Sequence, residues 1–201
     1  MLAAIVAVLV VACSPTESKG PPDSASPTGA TPIPGGPMET TPTAASPKVP
    51  GSQQEAIDTV LGYLQRTVDG LPPGTELDSS DARGGANLSC DDDNTGSGSG
   101  PTEYVVATHV IAPAGVKPTD LIAKTGDLWR TWGAKVMQRE GFEKPNQFGY
   151  PSDGYRVQIE AAYPANYPPL LTVVSPCFAG DLRQDGIPAP SAVIRQTNRG
   201  S

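Results

Sequence analysis

The chain has 201 residues, of which 22 are glycine and 23 proline, more than a fifth of the total. Its net charge is −7, with 14 basic side chains against 21 acidic ones, which excludes a nucleic-acid partner because phosphate binding needs lysine and arginine in excess. A single histidine and three cysteines leave little material for a metal site, and neither metal nor cofactor is expected.

Leu2 to Val11 is an unbroken apolar run, followed by Ala12 and Cys13. At about 1.5 Å per residue such a helix covers about half of a ~30 Å hydrocarbon layer, too little to span it. Its length and small-residue end predict a secretory signal peptide over residues 1–12. No Lys or Arg precedes the run, so the true start is expected upstream of Met1. Val10-Val11-Ala12-Cys13 resembles the bacterial lipobox, with Val10 in place of the commoner leucine. The resemblance implies a diacylglyceryl group on Cys13 and loss of the peptide before it. A lone acyl chain binds membranes only marginally, at about 0.8 kcal/mol per buried CH₂, so a durable anchor needs two or three.

Residues 13–51 are expected to form a tether. Ten prolines fall between Ser14 and Pro50, interleaved with Thr, Ser, Gly and Ala, and only Ile33, Met38 and Val49 are larger apolar residues. Such a segment buries too little surface to offset its ordering entropy. In extended polyproline II, at about 3.1 Å per residue, it would reach on the order of 100 Å. Its Ser and Thr beside proline are candidates for O-linked sugars.

The folded domain is expected over 52–186, with 187–201 as a flexible tail. Ser52 and Glu55 have capping-box spacing, and Ile57, Val60, Leu61, Leu64, Val68 and Leu71 then make one helical stripe that Gly70 and Pro72-Pro73 terminate. Segments 75–78 and 86–91 are candidate strands. Glu103 to Ala112 is β-branched and aromatic and predicts a central strand. Thr119 is placed as the cap of a second helix running to Glu140, with Leu121, Leu128, Trp129, Trp132 and Val136 as its stripe and Gly141 as its stop. Val157, Ile159, Ala161 and Tyr163 alternate along another strand, and Leu170 to Cys177 supplies the last. The predicted fold class is α+β, two helices packed on one largely antiparallel sheet of about five strands.

With Cys13 set aside, Cys90 and Cys177 remain as an even pair in an exported chain, where a disulfide is the default. It would close an 87-residue loop, worth about 4.5 kcal/mol by loop-closure entropy. The rival reading, a catalytic thiol, needs a base, and His109 is the sole histidine. His109 is placed mid-strand on an inward face with Val105, Ala107 and Ile111, as a buried hydrogen-bonded side chain. Asp91 to Gly96 approaches a calcium loop but fails it in both registers: from Asp91 the twelfth position is Thr102, and from Asp92 the sixth is Ser97. Gly96 to Gly100 lacks the ending of a phosphate loop and follows three carboxylates. No GxSxG elbow is present. Asn87-Leu88-Ser89 matches a glycosylation sequon, which has little meaning in the bacterial chain that the lipobox resemblance implies. An aromatic-rimmed ligand surface is drawn from Trp129, Trp132, Tyr163 and Tyr167, against core and loop packing as the plainer account.

Asn87-Leu88-Ser89-Cys90-Asp91 before a strand, Gly141-Phe142, Gly154-Tyr155 opening a strand and Cys177-Phe178 are similar to the LppA-like group of mycobacterial-type actinobacterial lipoproteins. That resemblance implies an envelope protein on the outer side of the cell membrane and brings no catalytic residues. The function expected is a lipid-anchored, non-enzymatic binding or interaction module, with an envelope protein, glycan or lipid as partner. A second expectation is a carrier or receptor for an apolar small molecule or lipid, held between the second helix and the sheet. A third is a hydrolase built on carboxylates such as Asp91 to Asp93 or Glu160.

Overall fold

The computed structural model describes residues 47–80, 85–91, 100–184, 186 and 191–197. Cys13, the apolar run before it, the tether up to Ser46, and most of the acidic turn and glycine–serine loop lie outside the described residues.

The first helix, α1 (Gln53–Asp69), starts where the capping box puts it. Ser52 Oγ accepts a hydrogen bond from the Glu55 N–H at 3.1 Å. The Glu55 carboxylate returns to the N–H of Gly51 (2.9 Å) and pairs with Lys48 (2.7 Å). Ile57, Val60, Leu64, Val68 and Leu71 are buried along its inner stripe, while Leu61 stays half-exposed at the edge. The ordered domain begins earlier than residue 52. Lys48 N–H bonds to the Asp153 carbonyl (2.9 Å) and Pro50 is buried.

Eight strands, not about five, make the sheet: β1 (Glu76–Asp78), β2 (Ala86–Ser89), β3 (Thr102–Ile111), β4 (Lys135–Met137), β5 (Asn146–Tyr150), β6 (Arg156–Glu160), β7 (Leu170–Val174) and β8 (Val193–Arg195). All pairings are antiparallel, in the order β4-β5-β6-β7-β3-β1-β8. The ten-residue β3 is the spine. It pairs with β7 along one edge and with β2 and then β1 along the other. The two helices pack on the face that carries Leu77, Val106, Val157, Ile159, Leu171 and Val173, all wholly buried. The α+β class with an antiparallel sheet is therefore as expected.

Three expectations are corrected. The second helix, α2 (Pro118–Thr131), begins with Pro118 at its first position and stops nine residues before Glu140. Its stop is a Schellman motif: Gly133 takes φ +82°, its N–H bonds to the Arg130 carbonyl (3.0 Å), and the Ala134 N–H reaches Trp129 (3.2 Å). Val136, expected on the helix, lies in β4. The supposed tail contributes β8, which pairs with β1 and whose neighbour Gln196 donates to the carbonyls of Val68 and Leu71 at the end of α1. The inward face of β3 is Thr102, Tyr104, Val106, Thr108 and Val110, so His109 is half-buried on the opposite face, with a buried Nδ1 that has no hydrogen-bond partner among the described residues.

Candidate functional site

Cys90 follows β2 and Cys177 follows β7, the strands that flank β3 on either side. They are joined as a disulfide with Cα atoms 6.3 Å apart. With Glu103 these are the one group of metal-ligating side chains drawn together among the described residues. Both sulfurs are consumed by the bond, which leaves no thiolate for a metal or for catalysis.

The four aromatic residues drawn together from the sequence are dispersed. Trp129 is fully buried and cannot face a ligand. Its Nε1 donates to Thr67 Oγ1 (3.3 Å), and its ring lies so close to Gly149 that a Cβ there would sit 3.1 Å from it and 2.7 Å from Val157. The space between α2 and the sheet, where a carried ligand was expected, is filled by this side chain. Trp132, expected in the core stripe, is half-exposed beyond the helix end. Tyr163 (87% exposed) and Tyr167 (55%) lie in the β6–β7 loop, at the end of β6 away from the β5–β6 turn.

What Trp132 meets instead comes from α1 and the turn between β5 and β6. Its ring stands 6.1 Å from that of Tyr63, which stands 5.6 Å from Tyr155. The Arg66 guanidinium lies over Trp132, 4.2 Å from the ring centroid, a cation–π contact. Tyr63 donates its hydroxyl to Asp153 Oδ2 at 2.7 Å, and Asp153 Oδ1 accepts the N–H of Tyr155. Burial first, and the Asp153 carboxylate second, hold the Tyr63 hydroxyl protonated well above its ordinary range. Gly154 shapes the turn with φ +89°, and a Cβ on it would come within 2.7 Å of Pro47. The chain at Pro47 therefore passes directly beside this cluster.

Two clefts open on α1. One, about 230 Å³, is lined by Thr59, Gly62, Tyr63, Arg66 and Asp153. The other, about 340 Å³, lies between α1 and β8, lined by Leu61, Gly62, Gln65, Ser191 and Ile194, and is mainly apolar. Arg130, Arg156 and Arg195 each face a carboxylate. Arg66 faces none among the described residues, so its fork of N–H donors is oriented by Trp132 and otherwise unclaimed.

Of the carboxylates raised as hydrolytic candidates, Asp92 and Asp93 lie outside the described residues, and Asp91 and Glu160 do not converge. Glu160 is level with Leu170 and His109, whereas Asp91 lies beyond Ser89, which pairs with Thr102 at the other end of β3. Seven residues of strand separate those levels, roughly 23 Å. Glu160 and Glu103 are both held above the usual carboxylate range, chiefly by burial.

Family models, curated proteins and solved structures offer no match to the chain. No helix among the described residues is long and apolar enough to cross a membrane. Sequence reasoning missed Tyr63, Arg66 and Asp153. The i, i+3 and i+4 spacing of Thr59, Gly62, Tyr63 and Arg66 puts them on one helical face, but that face reads as an ordinary solvated one.

Proposed function

We propose that the protein is a membrane-anchored module on the outer side of the cell membrane, tethered through Cys13, that binds a partner by the α1 surface and performs no covalent chemistry. The observation that carries the binding half is the cleft at Tyr63. There an aromatic platform, a guanidinium with no carboxylate partner among the described residues and a tyrosine–aspartate pair meet beside the root of the tether. The anchor rests on Val10 to Cys13, and the Cys90–Cys177 bond supports an oxidising compartment. Metabolic labelling with radioactive palmitate is expected to mark the wild-type chain and not a Cys13→Ser variant. Absence of label in wild type, with the protein entirely in the aqueous phase on detergent partitioning, would remove the anchor. Turnover of ester, peptide or glycan substrates by the Cys13→Ser chain would remove the non-enzymatic reading.

The second reading, a carrier or receptor for an apolar molecule, draws support from the apolar cleft between α1 and β8. In that reading the ligand lies outside α1 and not under α2.

A further inference from the structure

Gly62 sits in the middle of a seventeen-residue helix, exposed, and a Cβ on it would meet nothing within 4 Å. Glycine within a helix is destabilising relative to alanine by roughly 0.5–1 kcal/mol. Nothing among the described residues needs the missing Cβ: Gly62 has no left-handed φ and no close neighbour. Gly126, in α2, is the contrast. A Cβ there would lie 2.8 Å from the Gln147 side chain. Among the described residues, Gly62 is also the one that lines both clefts. It lies between them on the outward side of α1, so a chain running from one cleft to the other would cross it.

The two clefts differ in chemistry. At one, Leu61 and Ile194 present aliphatic surface, and Gln65 has its amide committed to Asp69 and to the Arg195 carbonyl. At the other stands Arg66, stacked on Trp132 and without a carboxylate partner among the described residues. A planar guanidinium held in this way is suited to two-pronged recognition of a carboxylate or phosphate. Asp153, the nearby acid, already accepts hydrogen bonds on both oxygens, which spreads its charge into the protein.

From these features we infer that the two clefts together bind an anionic amphiphile that lies across Gly62. Its acid head is held by Arg66, and its aliphatic chain crosses Gly62 to lie along Leu61 and Ile194. The inference rests on the binding-module reading and deepens it. Charge complementarity at one end and apolar surface at the other set the ligand class. A free fatty acid and a lipid phosphate share that chemistry.

The test uses the full chain with Cys13→Ser, titrated with decanoate, decyl phosphate and the uncharged decanol, each below its micelle concentration. The expected result is saturable binding of both acids, at least tenfold tighter than decanol. Gly62→Leu is expected to weaken all three probes by at least tenfold. Arg66→Gln is expected to abolish the preference for the acids while decanol binding stays as it was. Tight binding of only one acid assigns the source, carboxylate or phosphate. Circular dichroism and the thermal midpoint check that each variant is folded, and Gly62→Ala, which favours the helix, supplies a smaller obstruction should leucine disturb it. Equal affinity for decanol and decanoate, full binding by both folded Gly62 variants, or no binding of any probe would overturn the inference. If no probe binds while palmitate labelling succeeds, the amphiphile fails and the anchored-module reading stands.

Discussion

Trp129 and Trp132 are three residues apart and in opposite situations. Trp129 is sealed between α1, α2 and the sheet, hydrogen-bonded to Thr67 and packed on Gly149. Trp132 lies past the last turn of α2, half-exposed under Arg66 and beside Tyr63. On an uninterrupted helix both would fall on one inward stripe. The Schellman turn at Gly133 ends α2 between these two fates. Burial in this domain is thus set by where an element stops as much as by its periodicity. The region around Trp129 is construction, and the region around Trp132 is available for work.

That contrast is broken or sharpened by substitution. Trp129→Ala is expected to cost about 3–5 kcal/mol in urea unfolding, the usual range for emptying an aromatic core site. Trp132→Ala is expected to cost about 1 kcal/mol, from one cation–π and one aromatic contact. Equal losses would erase the distinction. Removing the disulfide with Cys90→Ser and Cys177→Ser is expected to cost about 2–5 kcal/mol, while near-ultraviolet circular dichroism of the cleft aromatics persists under conditions that keep the chain folded. A collapsed spectrum at unchanged secondary structure would tie the cleft to the bond.

Gly62→Ala acts in the other direction and is expected to raise stability by roughly 0.5–1 kcal/mol. A loss would mean that the outer face of α1 is more crowded than its open space implies. The smallest effect concerns pH. Tyr63 ionises later in the folded chain than its ordinary value of 10.0, through burial and the Asp153 contact. The native state therefore holds a proton that the unfolded chain gives up. This stability is complete below pH 10 and is lost as pH rises past 10 towards the folded value. Urea midpoints compared at pH 8 and pH 11 are expected to fall less for Tyr63→Phe than for wild type, with Tyr104 and Tyr155, also raised by burial, titrating in both.

Much of the frame was legible in the sequence. The α1 cap and stripe, β3, β6, β7 and the Cys90–Cys177 pairing follow from capping chemistry, β-branched runs and cysteine parity. Other elements lacked such signals. Asn146 to Tyr150 is a polar strand whose asparagine is buried because its side chain bonds the chain at Arg139 and Glu143. Val193 to Arg195 is too short to show alternation and is held by its pairing with β1. The β3 face was misassigned because both sets of alternate residues contain apolar side chains, and only the helices decide which is covered. The cleft was the least legible part. Helical spacing joins Tyr63 and Arg66, but only tertiary contact brings Asp153 to them and sets Trp132 and Tyr155 beside them.

The two indole N–H resonances provide the most direct test. In the nitrogen–proton correlation spectrum of the Cys13→Ser chain, stepwise decanoate is expected to shift the Trp132 indole signal saturably and leave that of Trp129 unmoved. A Trp129 signal that moves as far as that of Trp132, or two signals that never move, would contradict the account.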